Sequence, residues 1–189
     1  MRVALIGEAG SGKTTLAFSI SNFLKKKGVS CEVANLDISK NKPKYRAFFE
    51  AAKLGEKTIK TTYAKIAEAP QMLKNRSDFV LLDTAGSLEF FLLDPALLRE
   101  CCDRVIIVGD YAVARPVDSR FLNSLAALAE KRFGKKTIFA VNKSDLCREK
   151  PQHTLYSPAE RLEKAERVVF ASGREGLGFN ELMNFVEGG

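Results

Sequence analysis

Gly7-Glu8-Ala9-Gly10-Ser11-Gly12-Lys13-Thr14 satisfies the spacing G-x-x-x-x-G-K-[ST] in full. An apolar run, Val3 to Ile6, precedes it and a helical pattern follows. Glycines at this spacing let backbone N–H groups turn inward around phosphate oxygens. The N-terminus of the following helix adds the positive end of its dipole. In such a cradle, running from Gly7 to Thr15, Lys13 reaches the β- and γ-phosphates and the Thr14 hydroxyl ligates Mg²⁺. Glu8 reads as a solvent-facing loop residue rather than a catalytic one.

Asp83-Thr84-Ala85-Gly86 closes a second apolar run, Phe79 to Leu82. A carboxylate there suits a water-mediated Mg²⁺ contact. The Gly86 amide is placed to bond a γ-phosphate, so that the loop senses whether that phosphate is present. Asn35-Leu36-Asp37 ends another apolar run. Asp37 either orients an attacking water and the Mg²⁺ shell, or merely caps the next turn.

Asn142-Lys143-Ser144-Asp145 has the form N-K-x-D. A carboxylate at Asp145 accepts two hydrogen bonds from guanine N1–H and its exocyclic amine. Adenine offers no such donor pair, and a buried acceptor left unpaired costs a few kcal/mol, on the order of 1–3. Lys143 lays its aliphatic stem along the base, and Asn142 bridges to the phosphate loop or to the base. Ala171-Ser172-Gly173 resembles the loop whose backbone amide bonds guanine O6, although a plain strand-to-helix turn would look the same.

The elements that must position these groups alternate along the chain. Strands are expected at Val3–Gly7, Ser30–Asp37, Phe79–Asp83, Arg104–Gly109, Lys136–Asn142 and Glu166–Ala171. Helices are expected at Thr14–Lys27, with Gly28 as the C-cap, from Asp94-Pro95 to Cys102, at Pro116–Phe133 and at Gly178–Glu187. Phe121, Leu125, Leu128 and Ala129 should form the buried face of the third of these helices. Ser157-Pro158-Ala159-Glu160 reads as a capping box. The alternation implies a doubly wound, mainly parallel α/β sheet with helices on both faces.

A length of 189 residues with 46% apolar content suits a single domain spanning residues 1–189. No apolar run approaches the ~18 residues of a membrane span, and the short apolar start leads into the phosphate loop rather than a cleavage site. Four cysteines without a C-x-x-C pair, and a single histidine, argue against a His-rich metal site and for a reduced, cytoplasmic protein. Adjacent Cys101 and Cys102 read as small core residues on a helix. The net charge of +7 is concentrated in residues 22–76, which hold 13 basic residues against 5 acidic ones. Residues 38–77 form a basic, insertion-like segment with helical patches at Arg46–Lys53 and Thr61–Ala69.

The motifs together resemble those of the SIMIBI class of P-loop GTPases, and within it the GPN-loop GTPases. Gly7–Thr15 resembles that family's phosphate loop, Val33–Asp37 its Asn-Leu-Asp strand end, and Asp83–Phe91 its Asp-x-Pro-Gly-Gln-Ile-Glu loop. The resemblance implies a P-loop, G-domain-like fold, a water-activating and Mg²⁺-linked role for Asp37, and a nucleotide-bridged homodimer. The chain has no Gly-Pro-Asn tripeptide, and Ala85 and Ser87 replace the family's Pro and Gln.

The expected activity is Mg²⁺-dependent binding and slow hydrolysis of GTP to GDP by a nucleotide-controlled switch or assembly factor, with a regulatory or effector protein as partner. Two alternatives stay open: an ATP-dependent small-molecule P-loop kinase, and a nucleotide-gated binding module. In the second, the lysine-rich segment would meet RNA or an acidic protein. A plain solvated basic face explains those lysines more simply. A metallochaperone fits less well, because spaced Cys and His ligands are lacking.

Overall fold

The computed structural model describes residues 1–39, 45–74, 77–114, 119–146 and 167–188. Seven strands form one sheet, every pairing in it parallel: β1 (Arg2–Ile6), β2 (Cys31–Asn35), β3 (Phe49–Glu50), β4 (Phe79–Asp83), β5 (Arg104–Asp110), β6 (Lys136–Asn142) and β7 (Val168–Phe170). Their order across the sheet is β3-β2-β4-β1-β5-β6-β7. Among the described residues the α-helices are α1 (Lys13–Lys26), α2 (Ile59–Glu68), α3 (Leu88–Leu93), α4 (Ala96–Cys101), α5 (Tyr111–Ala114), α6 (Ser119–Phe133) and α7 (Phe179–Glu187).

Strand β1 explains the layering. Its side chains alternate between faces, and both faces are apolar. Val3 and Leu5 join a core with Leu16, Ile20 and Leu24 of α1 and Leu182 and Val186 of α7. Ala4 and Ile6 join a second core with Ile66 of α2, Leu98 of α4 and Phe133 of α6. Each fully buried leucine or isoleucine in these layers contributes about 1.5–3 kcal/mol. A strand covered on both sides is the parallel-sheet condition. Helix α1 ends as expected: Gly28 takes φ +79°, and its N–H bonds the Lys25 carbonyl.

Two expectations need correction. The patch Arg46–Lys53 is not an α-helix. Phe49–Glu50 pairs with Ala34–Asn35 as the edge strand β3, and Ala51–Leu54 is a turn of 3-10 helix. Pairing of Phe49–Glu50 with β2 ends at the buried Ala51, where Ala-Ala-Lys-Leu forms only that short turn. In α6 the buried face is Leu122, Ala126, Ala129 and Phe133, whereas Phe121 and Leu128 are 60% and 62% exposed. Apolar residues occur on both faces of that helix, so periodicity alone could not choose the phase. The second helical patch is real, as α2. The capping box at 157–160 and Cys147 lie outside the described residues. Cys101 and Cys102 are buried in the core at the end of α4, as expected. Among the described residues, no helix is long and apolar enough to cross a membrane.

Candidate functional site

The site gathers at the carboxyl ends of β1, β4, β5, β6 and β7, where open parallel sheets bind ligands. The loop after β1 is set by close approaches. A Cβ on Gly7 would stand 2.2 Å from the Val108 carbonyl oxygen, and one on Gly12 would stand 2.4 Å from Asn142 Nδ2. Gly7 and Gly12 have φ of +147° and +90°, which side chains rarely adopt. The loop therefore packs against β5 on one side and the end of β6 on the other.

Lys13 Nζ donates to the carbonyl oxygens of Gly7 and Glu8, both at 2.9 Å. Burial lowers its pKa, while the carboxylates of Asp83, Asp37 and Glu8 favour its charge. Ser11 is buried with no hydrogen-bond partner for its Oγ. Ala9, Gly10, Thr14 and Thr15 are exposed. Glu8 is exposed but not idle: its Oε1 accepts from the Leu88 amide at 3.2 Å, joining the phosphate loop to the first turn of α3.

Asp83, only 1% exposed, lies beside this loop. Its Oδ2 accepts from the Tyr45 hydroxyl at 2.6 Å, and its Oδ1 has no protein partner. Burial raises the Asp83 pKa, opposed by Tyr45, Thr14 and Lys13. Burial and the Asp83 and Asp37 carboxylates likewise push the Tyr45 hydroxyl upward. Asp37 is half-buried, and its Oδ1 accepts from the Ser39 amide at 2.8 Å, so it caps its own turn. Its charge is nonetheless felt at Lys13, Asp83 and Tyr63. The loop after β4 touches the phosphate loop directly. A Cβ on Gly86 would fall 2.6 Å from Ala9 Cα and N. From behind, the Ala85 amide donates to the buried Tyr63 hydroxyl at 2.9 Å, and Tyr63 stacks on Phe91.

Asn142 joins the two halves of the site. Its Nδ2 donates to the Ser11 carbonyl at 2.9 Å, and its Oδ1 accepts from the Gly173 amide at 3.0 Å. Lys143 has φ +63°, and its Nζ donates to Asp110 Oδ2 at 2.6 Å. Asp145 Oδ1 accepts from the Ser172 hydroxyl at 2.7 Å. A cavity of about 210 Å³ opens between these groups, lined by Thr15, Lys143, Asp145, Leu146 and Arg174 among others. The structure thus brings together every residue that the four motifs and Asp37 single out. Tyr45, Tyr63, Asp110 and Arg174 are additions. Only Asp110 carried a signal, a carboxylate ending the apolar run Val105–Val108 much as Asp83 ends its own strand.

Strand order, glycine loop and strand-end carboxylate define a P-loop NTPase α/β fold. The chain belongs to a protein family described as conserved hypothetical ATP binding protein, whose sequence profile matches residues 5–173. Among solved structures it is similar to the apo form of the GTPase PAB0955 from Pyrococcus abyssi. That pair has 22% identity and a TM-score of 0.72, covering 100% of this chain and 96% of the other. It is also similar to the signal recognition particle 54 kDa protein of Aeropyrum pernix in complex with GDP, at 20% identity and a TM-score of 0.57, over 99% of this chain and 46% of that one. A third likeness is to the septum site-determining protein MinD of Pyrococcus horikoshii, complexed with Mg-ADP. There the identity is 16% and the TM-score 0.52, over 84% and 74% of the two chains. No curated protein matches the sequence. At these identities the likenesses establish the fold. They span guanine- and adenine-nucleotide complexes, so the base is decided by the side chains.

Proposed function

We propose that the chain is one nucleotide-binding domain that binds GTP with Mg²⁺, hydrolyses it slowly, and acts as a nucleotide-controlled switch or assembly factor in the cytoplasm. The observation that carries this reading is the cavity beside the phosphate loop, walled by Lys143 and Asp145, with Ser172 holding the carboxylate. Asp145 would accept the guanine N1–H and amine pair, which adenine lacks. Gly7 to Thr15 would cradle the phosphates with backbone amides, and Ser172 and Gly173 would border the base.

Among the described residues, no cluster of three His, Cys, Asp or Glu side chains could enclose a metal by itself. Mg²⁺ typically completes its shell with waters and phosphate oxygens instead. The donor set fits such an ion: the Thr14 side chain lies beside the Asp83 carboxylate, whose buried Oδ1 lacks a partner. Thr14 and Asp83 would hold it, with Asp37 in the surrounding shell. Once bound, it would offset charge on the transferring phosphoryl group. Lys13 would exchange its bonds to the Gly7 and Glu8 carbonyls for phosphate oxygens. The Gly86 amide would bond the γ-phosphate, and Asp37 would orient the attacking water. No in-cis arginine finger is evident in the sequence, so turnover should be slow until a homodimer or a regulatory partner completes the site. Within the SIMIBI class we place the chain nearest the GPN-loop GTPases, without their tripeptide.

An ATP-using enzyme is the second reading, favoured by the family's description as ATP binding. A competition titration separates the two. Labelled GTP with Mg²⁺ is displaced by ATP or XTP, and the series is repeated with Asp145→Asn. Strong preference for GTP, moving toward XTP in the variant, supports guanine reading. Equal competition by ATP, unchanged in the variant, overturns it.

A further inference from the structure

We propose that Asp110 is a positioning residue for the nucleobase: its carboxylate anchors the Lys143 ammonium so that the lysine stem forms one wall of the base cavity. This inference rests on the reading of that cavity as a nucleobase site.

The two residues come from neighbouring strands. Asp110 ends β5 and stands opposite Asn142, the last residue of β6, in the parallel register. Lys143 follows directly with a left-handed backbone, and its side chain reaches Asp110 at the end of β5. A non-glycine residue in that conformation is unusual and needs the surrounding structure to hold it. Asp110 does so with one oxygen, Oδ2, which accepts from Lys143 Nζ. Its other oxygen, Oδ1, accepts from the Ala112 amide at 3.0 Å, fixing the carboxylate itself. Partial burial pushes the Asp110 pKa upward, but the Lys143 ammonium and the Ala112 amide outweigh it and hold the carboxyl below its ordinary value.

The anchored stem passes over the phosphate loop. Lys143 Cε lies 3.8 Å from where a Cβ on Gly12 would stand, and both residues line the cavity. A lysine side chain has four rotatable bonds and loses their rotamer freedom when fixed. Asp110 meets that cost before ligand arrives, so the base finds its wall already formed. The phosphate loop does not depend on this pair. Its lysine, Lys13, bonds the Gly7 and Glu8 carbonyls instead. The pair should therefore act on the base and leave phosphate binding alone.

Titration calorimetry with GDP, ADP and inorganic tripolyphosphate tests this on the full chain, in wild type and in Asp110→Asn, Asp110→Glu, Lys143→Met and Asp110→Asn/Lys143→Met. Asparagine keeps an oxygen for the Ala112 amide, and thermal melting checks that the fold is retained. Asp110→Asn should weaken GDP about tenfold and leave tripolyphosphate within about twofold. Asp110→Glu should recover part of the loss. In the Lys143→Met background, Asp110→Asn should cost GDP nothing further. An unchanged GDP affinity in Asp110→Asn, an equal loss for tripolyphosphate, or a full further loss in the Lys143→Met background would overturn the anchor. Wild type binding ADP more tightly than GDP overturns guanine reading alone, and the anchor is then judged on ADP. Wild type binding neither diphosphate more tightly than tripolyphosphate overturns both.

Discussion

The hydroxyl of Tyr45 donates to Asp83 Oδ2 at 2.6 Å, linking residues 38 positions apart in the chain. One belongs to the segment after β2 and the other to the end of β4, so the bond ties that segment to the wall of the phosphate site. It also satisfies one oxygen of a carboxylate that is almost fully buried. Hydrogen bonds to charged groups are worth about 1.5–3 kcal/mol. Tyr45→Phe should therefore lower the melting temperature of the nucleotide-free protein. The loss should shrink under saturating Mg²⁺ and nucleotide, which supply Asp83 with another partner. Melting curves with and without Mg·GDP decide this; an equal loss in both would mean that Tyr45 does not exchange with the ion.

Asp83 also sets a pH dependence. Burial raises its pKa, so the folded state binds its proton more tightly than the unfolded state does. The ionised group then costs stability. That cost is absent below the unfolded carboxylate pKa and develops as pH rises through the raised folded value. Asp83→Asn should stabilise the nucleotide-free fold at neutral pH, by about 1–2 kcal/mol, while abolishing Mg²⁺-dependent nucleotide binding. The stability gain should close as the solution is acidified below the ordinary aspartate pKa. Urea unfolding at several pH values reads both the gain and its closure.

Gly86 packs on Ala9 with no room for a methyl group. Gly86→Ala must push the loop after β4 away from the phosphate loop, at a cost of about 1–3 kcal/mol in overpacking. Nucleotide hydrolysis should fall more than diphosphate binding if, as proposed above, the Gly86 amide bonds the γ-phosphate. Single-turnover rates set against GDP affinity would reveal the split.

Asn142 serves both the phosphate loop and the loop after β7, through Ser11 and Gly173. Asn142→Ala leaves a buried carbonyl and a buried amide unpaired, each at about 1–3 kcal/mol. The variant should unfold at markedly lower urea and bind all nucleotides weakly, whichever base they carry. Loss confined to guanine nucleotides would show instead that Asn142 is a base contact.

The Ala85 N–H donates to the Tyr63 hydroxyl, which α2 supplies. Tyr63→Phe keeps the ring stacked on Phe91 but orphans that amide. Stability should drop by about 1–3 kcal/mol, and amide exchange should quicken in the Asp83–Leu88 loop. Exchange followed by mass spectrometry checks it.

The sequence by itself determined the strands that carry the site and the residues at their ends. Parallel strands buried on both faces are continuous apolar runs, so β1, β4, β5 and β6 are legible as blocks. The glycine loop is legible because few residues tolerate its backbone and its close approach to phosphate. Other features were decided only by tertiary structure, because they join residues distant in sequence. The phase of α6 depended on which of two apolar faces met the sheet. The Phe49–Glu50 strand depended on an open edge at β2, which local propensity does not record. Tyr45 at Asp83, Asp110 at Lys143 and Tyr63 at Ala85 are likewise meetings of loops and strand ends set by the order β3-β2-β4-β1-β5-β6-β7. Side-chain spacing specifies which groups are available. The winding of the sheet specifies which of them share a buried, low-dielectric site, where a hydrogen bond or ion pair decides the chemistry.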